Sequence, residues 1–324
     1  MNATRVLVIG GAGYIGSHVV KALLDKKCAV TVYDNLSTGQ RCNLFAAARF
    51  IEGDILDIAK LNAIMAEGFD AVVHLAAKKA VGESMVNPQF YAQNNLNGSI
   101  NIFNAMVDNG VKNVVFSSTA AVYGMPQYLP LDESHPLNPM SFYGYTKAEI
   151  ERVMTWFARL KDFNFVALRY FNAVGYAADG SIRGKEKNPQ NLLPIVMEVL
   201  SGKRPKMQVF GNDYDTPDGT CLRDYVHVED LARAHVAAIE KLLSEPKSHI
   251  INLSTGKGTS VLDIINAAER VSGKKVNYEF APRRAGDPAT VIASNDLARE
   301  VLGWTPQYTD IDEIVKTTWN LEEK

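Results

Sequence analysis

Residues 6–16 read VLVIGGAGYIG. A short apolar run ends at Gly10 and Gly11, and further glycines follow at Gly13 and Gly16. The string fits G-x-G-x-x-G at Gly11, Gly13 and Gly16, and G-x-x-G-x-x-G at Gly10, Gly13 and Gly16. Read as structure, it is a strand, a tight turn and the start of a helix. Glycines let such a turn approach a pyrophosphate closely, and the helix N-terminus adds free N–H groups and the positive end of its dipole. A plain strand–helix turn has the same string, so context decides. The turn follows the first strand pattern of the chain. A second strand pattern, TVYD, ends on Asp34, about 20 residues further on, where ribose recognition is expected. A carboxylate there accepts hydrogen bonds from the adenosine ribose and repels a 2′-phosphate, which favours NAD over NADP.

Outward from this turn the same rhythm continues. RVLVIG from Arg5, AVTVYD from Ala29, AVVHLA from Ala71, NVVFSS from Asn113 and FVALRY from Phe165 are nearly continuous apolar runs. Strands covered on both faces read this way. Helix-length stretches such as GSHVVKALLDKK and NGSINIFNAMVDNG lie between them. Strand alternating with helix predicts βαβ units, a parallel sheet and right-handed crossovers. After Phe171 the chain turns polar and glycine-rich, in GYAADGSIRGKEKNPQ and GNDYDTPDGT. That change predicts a smaller α/β lobe with long loops. The expected fold is a doubly wound, Rossmann-type sheet. Its NAD-binding domain covers residues 1–171, with a later contribution around 222–254. Residues 172–324 are expected to form mainly the substrate-binding lobe.

Composition narrows the function. The 324 residues are 47% hydrophobic and 22% charged, with a formal net charge of -2. Such a chain can bury a sizeable core. It has no dense basic block of the kind nucleic acid requires. Cys28, Cys42 and Cys221 are scattered, which argues against a disulfide framework or a zinc site and fits a reducing compartment. No stretch approaches the ~18 apolar residues of a membrane span, and the N-terminal apolar run is too short for a signal peptide. The expected location is the cytoplasm. The six histidines form no metal-binding pair, and His74 reads as a satisfied core residue.

A second local pattern carries chemistry. SFYGYTKAEIERVMTWFARL, from Ser141, sets Tyr143 and Lys147 four residues apart on one helix face. Ile150, Val153, Met154 and Phe157 supply the buried stripe. A tyrosine with an ordinary pKa of about 10 is a poor base at neutral pH. A neighbouring ammonium favours the phenolate, and an oxidised nicotinamide adds further positive charge. A Tyr-x-x-x-Lys pair beside NAD thus reads as a proton carrier coupled to hydride transfer. The spacing alone also occurs by chance on exposed helices.

Taken together, the glycine turn, FSSTAAVYG and Tyr-x-x-x-Lys resemble the extended short-chain dehydrogenase/reductase family. GGAGYIGSH, DNLSTG, AAKKAVGES, LRYFNAVG, DYDTPDGTCLRDYVHVEDLARAH and RRAGDPA resemble, in order, the branch that interconverts UDP-glucose and UDP-galactose. The resemblance spans essentially the whole chain. It implies Thr119, Tyr143 and Lys147 as the catalytic set, with contacts to both cofactor and sugar. It assigns NAD to Gly10, Gly13, Tyr14, Ile15, Gly16, Asp34, Asn35, Leu36, Ser37, Thr38 and Gly39. Asp54, Ile55, Leu75, Ala76, Ala77, Lys79, Asn94 and Phe171 complete that implied set. For the UDP-sugar it implies Lys79, Asn172, Asn191, Leu192, Val209, Phe210, Arg223, Arg284, Asp287 and Val291. Thr119 stands where serine is more usual, and Gln190 precedes Asn191 where two asparagines are more usual. A homodimer through the helix bearing Tyr143 and the helix before it is also implied.

The residues support that substrate class in their own right. Arg223 and Arg284 can each make paired, charge-assisted bonds to phosphate oxygens, although either could be a surface ion pair. Lys79 adjoins Lys78, so a solvated charged loop competes with a binding role. A nucleotide-sugar 4,6-dehydratase is the nearest rival. Such enzymes resemble this chain but carry an Asp-Glu pair where Ala120 and Ala121 stand. Enzymes acting on UDP-glucuronate remain a second alternative. A non-enzymatic NAD-sensing regulator is a third, against which the intact Thr119, Tyr143 and Lys147 argue.

Overall fold

The computed structural model of the protein describes residues 3–186, 189–284 and 286–322. Six strands, β1 (Arg5–Ile9), β2 (Ala29–Asp34), β3 (Arg49–Glu52), β4 (Ala71–His74), β5 (Asn113–Thr119) and β6 (Asn164–Tyr170), lie in one parallel sheet. A seventh, His249–Leu253, pairs parallel with β6 at the edge. The order across the sheet is 249–253, β6, β5, β4, β1, β2, β3. The chain therefore runs outward from β1 to one side and returns to the other side at β4. In open α/β sheets such a reversal leaves a crevice at the carboxyl ends of the strands, which is where ligands bind.

Both faces of the sheet are covered. Val6 and Val8 of β1 pack with Val19 and Leu23 of helix α1 (Tyr14–Asp25) and with Leu231 and Ile239 of helix Val228–Ser244. Leu7 and Ile9 point the other way, toward Ile102, Phe103, Ile150 and Met154. Successive strand residues face opposite sides, so burial on both faces makes the sequence continuously apolar. The five expected strands are present. β3 and 249–253 were not expected, and both are edge strands. RFIE is only partly covered along its length, and HIINL starts half-exposed, so neither carries the buried-strand signature.

Beyond β6 the smaller lobe forms around a separate apolar cluster that includes Leu193, Val209, Ile264 and Trp319. Strand Asn172–Val174 pairs with Tyr225–His227, and Met207–Phe210 pairs with Tyr278–Ala281. Leu222–Arg223 lies between Thr259–Ser260 and Thr290–Val291. From this lobe the chain returns through helix Val228–Ser244, which packs on α1, to add strand 249–253. Among the described residues no helix is long and apolar enough to cross a membrane.

Candidate active site

The glycine turn sits at the carboxyl end of β1. Gly10 adopts φ +88°, and a Cβ there would lie 2.6 Å from the backbone nitrogen of Ala76. A Cβ on Gly16 would lie 2.1 Å from the Gly10 carbonyl oxygen. The first glycine thus lets β1 lie against the strand-β4 loop, and the last lets α1 start directly over the turn. Gly13 is the N-cap of α1 and supplies no side-chain cap, and the first turn holds no acidic residue. The N-terminal N–H groups of α1 therefore stay open to an anion. Tyr14 donates its hydroxyl to the Gly175 carbonyl at 2.5 Å, tying the turn to the smaller lobe.

Asp34 ends β2 beside this turn and is buried. Its carboxylate accepts from the Ala12 N–H at 3.0 Å and the Leu36 N–H at 2.8 Å. Burial raises its pKa, and the two backbone donors oppose that shift. Leu36 is held at φ +57°, a left-handed conformation that costs a non-glycine residue roughly 1–2 kcal/mol. Asn35 donates to Asp54 at 2.8 Å, and Ser37, next to Thr38 in the same exposed loop, accepts from Lys78 at 3.3 Å. Ile55 is buried against Gly98. Leu75, Ala76 and Ala77 follow β4 on the other wall. The uncapped helix end, the glycine cradle and the held carboxylate together fit a dinucleotide.

Two positions here meet partners that the sequence did not show. Lys79 forms an ion pair with Glu186 of the smaller lobe, which gives its exposed ammonium a protein partner. Asn94 leads to a residue that sequence reasoning missed. Asn95, its neighbour in the π-helical turn Ala92–Asn97, is buried. It accepts from Lys78 N–H at 2.9 Å and donates to the Lys78 carbonyl at 3.0 Å and to Thr146 at 3.2 Å. It thereby pins the β4 loop to the helix bearing Tyr143. A π-turn is an irregularity often found at functional sites, but it leaves no readable period in sequence.

Helix Phe142–Leu160 is capped by Ser141, whose hydroxyl accepts from Gly144 N–H at 3.1 Å. Its stripe buries Ile150 and Met154, and Val153 and Phe157 pack against the same cluster. Tyr143 and Lys147 share this inward face. The Lys147 ammonium donates to the Ser117 carbonyl of β5 at 2.7 Å and lies 6.0 Å from the Tyr143 ring centroid. Thr119, at the end of β5, stands beside the Tyr143 phenol and accepts from Ala121 N–H at 3.2 Å. The three candidate catalytic side chains thus converge at the carboxyl edge of the sheet. The electrostatics correct the simple expectation. Burial pushes the Tyr143 phenol up to about 12, and the Thr119 hydroxyl beside it only partly opposes this. Burial pulls Lys147 down to about 7, with the Glu151 carboxylate pulling it back. Desolvation, absent from a sequence-level argument, is the largest influence on the tyrosine.

His74 is buried in β4 as expected. One ring nitrogen meets Ser99 at 2.8 Å, while Nδ1 has no hydrogen-bond partner among the described residues. No group of three metal-ligating side chains occurs among the described residues.

The smaller lobe holds its candidates in different settings. Arg223 pairs with Asp287 at 3.1 Å, and Val291 stands opposite Arg223 in register. Arg284 lies over the Phe210 ring at 3.9 Å. Asn191 is the exposed N-cap of helix Leu192–Leu200 and makes no capping bond, so a second helix end faces outward uncapped. Asn172 donates its amide to the Asp224 carbonyl at 3.1 Å. Val209 is turned into the lobe core, so its backbone alone is available. Asp224, in the RDY stretch, is buried and accepts from Ser254, Thr255 and Gly256. It holds the arginine-bearing strand to the end of strand 249–253. Phe171 and Val291 pack with Ala120, Val122 and Tyr123, next to Thr119.

A dinucleotide cradle at the reversal of a parallel sheet, with a threonine, tyrosine and lysine at its mouth, defines a Rossmann-type protein built for hydride transfer coupled to a proton. Residues 6–254 match the NAD dependent epimerase/dehydratase family, and the chain belongs to that family. A UDP-glucose 4-epimerase of Lacticaseibacillus casei is 47% identical over 98% of this chain and 96% of its own. A UDP-glucose 4-epimerase of Brucella ovis, solved with NAD, superposes with a TM-score of 0.96 at 43% identity, covering 98% of each chain. The enzyme of Bifidobacterium longum, solved with NAD+ and UDP, gives a TM-score of 0.92 at 38% identity over 99% of this chain and 98% of its own.

Proposed function

We propose that the protein is an NAD-dependent 4-epimerase interconverting UDP-glucose and UDP-galactose. The observation that carries this reading is the convergence of Thr119, Tyr143 and Lys147 beside the glycine cradle. The carbon to be inverted bears a non-acidic hydrogen, so direct deprotonation is too hard. Oxidation to a ketone makes that carbon planar, and reduction from either face then completes the inversion. Bound NAD supplies the hydride chemistry. Tyr143 takes the proton of the 4′-hydroxyl and later returns it, Thr119 orients that hydroxyl, and Lys147 steadies the charge on the tyrosine oxygen.

The division of labour follows from side-chain chemistry. Residues 1–171, with 222–254, serve the cofactor, and 172–324 serve mainly the UDP-sugar. Arg223, Arg284 and Asn191 hold the diphosphate by charge and hydrogen bonds. Ala120, Phe171 and Val291 offer the hexose few polar contacts, which leaves a keto-sugar free to turn over. Assaying purified protein for interconversion of the two UDP-hexoses tests the reading, and absence of turnover in both directions refutes it.

Val291 sets the sugar range in this reading. Valine is shorter than tyrosine but β-branched and stiff. UDP-glucose and UDP-galactose are the main substrates, with measurable turnover of UDP-N-acetylglucosamine. Val291→Tyr should abolish the acetylated activity and spare the other, as checked by parallel steady-state assays. A wild type inactive on the acetylated sugar at high enzyme concentration removes Val291 as an open gate.

The protein acts as a homodimer in this reading. Exposed apolar side chains on and beside the helices involved, Phe90, Ile100, Trp156 and Leu160, favour burial against a second copy. Sedimentation of the purified protein should show a species of two chains, and a monomer at all concentrations refutes it.

A further inference from the structure

We propose that the buried Glu151–Arg169 pair is a positioning device for the Tyr143–Lys147 dyad, biasing their shared proton toward the lysine and so toward the phenolate that can act as base. The inference rests on the reading of Tyr143 as the proton carrier. Tyr143, Lys147 and Glu151 stand at four-residue intervals on helix Phe142–Leu160, so each lies one turn from the next. Lys147 and Glu151 are each 2% exposed. Neighbouring residues of β5 hold them. The Ser117 carbonyl accepts from Lys147 at 2.7 Å, and the Ser118 hydroxyl donates to Glu151 at 2.5 Å. Arg169 of β6 closes on the carboxylate through Nε at 2.9 Å and Nη2 at 2.6 Å. Its Nη1 donates to the Tyr123 hydroxyl at 3.0 Å, which donates to Asn252 at 2.6 Å.

A buried ion pair is seldom the most stable way to fill a core, because well-packed apolar residues often do as well or better. Its place here is informative. The groups around Lys147 are Tyr143 and Glu151 on its own helix, Ser117 and Thr119 on β5, Arg169 and Tyr170 on β6, and His74 on β4. Burial, then the nearby lysine, holds His74 down to about 3, so it is neutral. Glu151 is the anion of this set. With one proton to share, the dyad has two arrangements, ammonium with phenolate or amine with phenol. Both bind the same number of protons, so local charge decides between them. Only the first can accept a proton from a sugar hydroxyl. Glu151 favours the first. Without it, Arg169 is a second buried cation behind Lys147, and the balance moves further toward amine with phenol.

The test is Glu151→Gln, which keeps size and removes charge. Two quantities are measured. One is the single-turnover rate of NAD reduction by UDP-glucose. The other is the ultraviolet titration of Tyr143, taken as wild type minus Tyr143→Phe. A neighbouring charge shifts a pKa by about 1–2 units. The hydride step should therefore slow about 10–100-fold, the Tyr143 phenolate should appear at higher pH, and KM should change little. Glu151→Asp should recover most of both. A folded Glu151→Gln variant with wild-type rate and titration overturns the proposal. If that variant does not fold, the double variant Glu151→Met/Arg169→Met, which buries no charge, should move both readouts the same way by less, since the carboxylate that acts on Lys147 is lost together with its arginine, and a double variant with wild-type rate and titration overturns the proposal. A wild type that interconverts no UDP-sugar refutes the functional reading instead, and the tyrosine titration still tests the pair.

Discussion

Tyr143→Phe should slow interconversion of UDP-glucose and UDP-galactose by about 10²–10⁴-fold, the usual contribution of a positioned acid–base group. The ring is kept, so its packing survives, and only the phenol oxygen is lost. UDP affinity should be nearly unchanged, because the candidate phosphate contacts lie on Arg223, Arg284 and Asn191 of the smaller lobe. Steady-state rates together with calorimetric UDP binding separate the two effects. Full turnover by the variant would show that another group is the base. Since burial holds the phenol high, the sign of the pH dependence follows. The proton-abstracting step needs the oxygen unprotonated, so the wild-type rate should rise with pH up to the apparent pKa of the dyad. The Phe variant should lose that rise.

Gly10→Ala should destabilise the protein by about 2–5 kcal/mol, combining a left-handed backbone with an overpacked contact. The added methyl would stand 2.6 Å from the Ala76 nitrogen, a backbone atom that cannot swing aside. The turn would have to shift, and the open end of α1 with it. Wild-type protein should purify with NAD, since each cycle restores the cofactor and nothing requires it to leave. The variant should purify with little NAD and melt lower. Acid extraction with chromatography of the nucleotide, and a thermal melt, check both. Retention of NAD and of melting temperature would remove Gly10 from the cradle. NADP in the wild-type extract would overturn the reading of Asp34.

What could be read without coordinates was local. The glycine turn, the apolar runs of covered strands and the Tyr143–Lys147 spacing are set by neighbours in the chain, through backbone conformation and helix or strand period. They were enough for the sheet and the cofactor class, and they set Tyr143 and Lys147 on one helix face. The edge strands Arg49–Glu52 and His249–Leu253 escaped because partial exposure weakens the apolar pattern that marks a strand. Only the tertiary structure decided the partners of charged and polar groups far apart in sequence. Lys79 meets Glu186 across 107 residues, Asn95 clamps Lys78 and Thr146, and Asp224 ties down the loop after strand 249–253. It also decided that burial holds the Tyr143 phenol high. Lysine spacing alone argues for an easily ionised tyrosine. Desolvation by whatever packs around the pair argues the other way, and that is fixed by β4, β5 and β6 closing over one helix face rather than by any local run of residues.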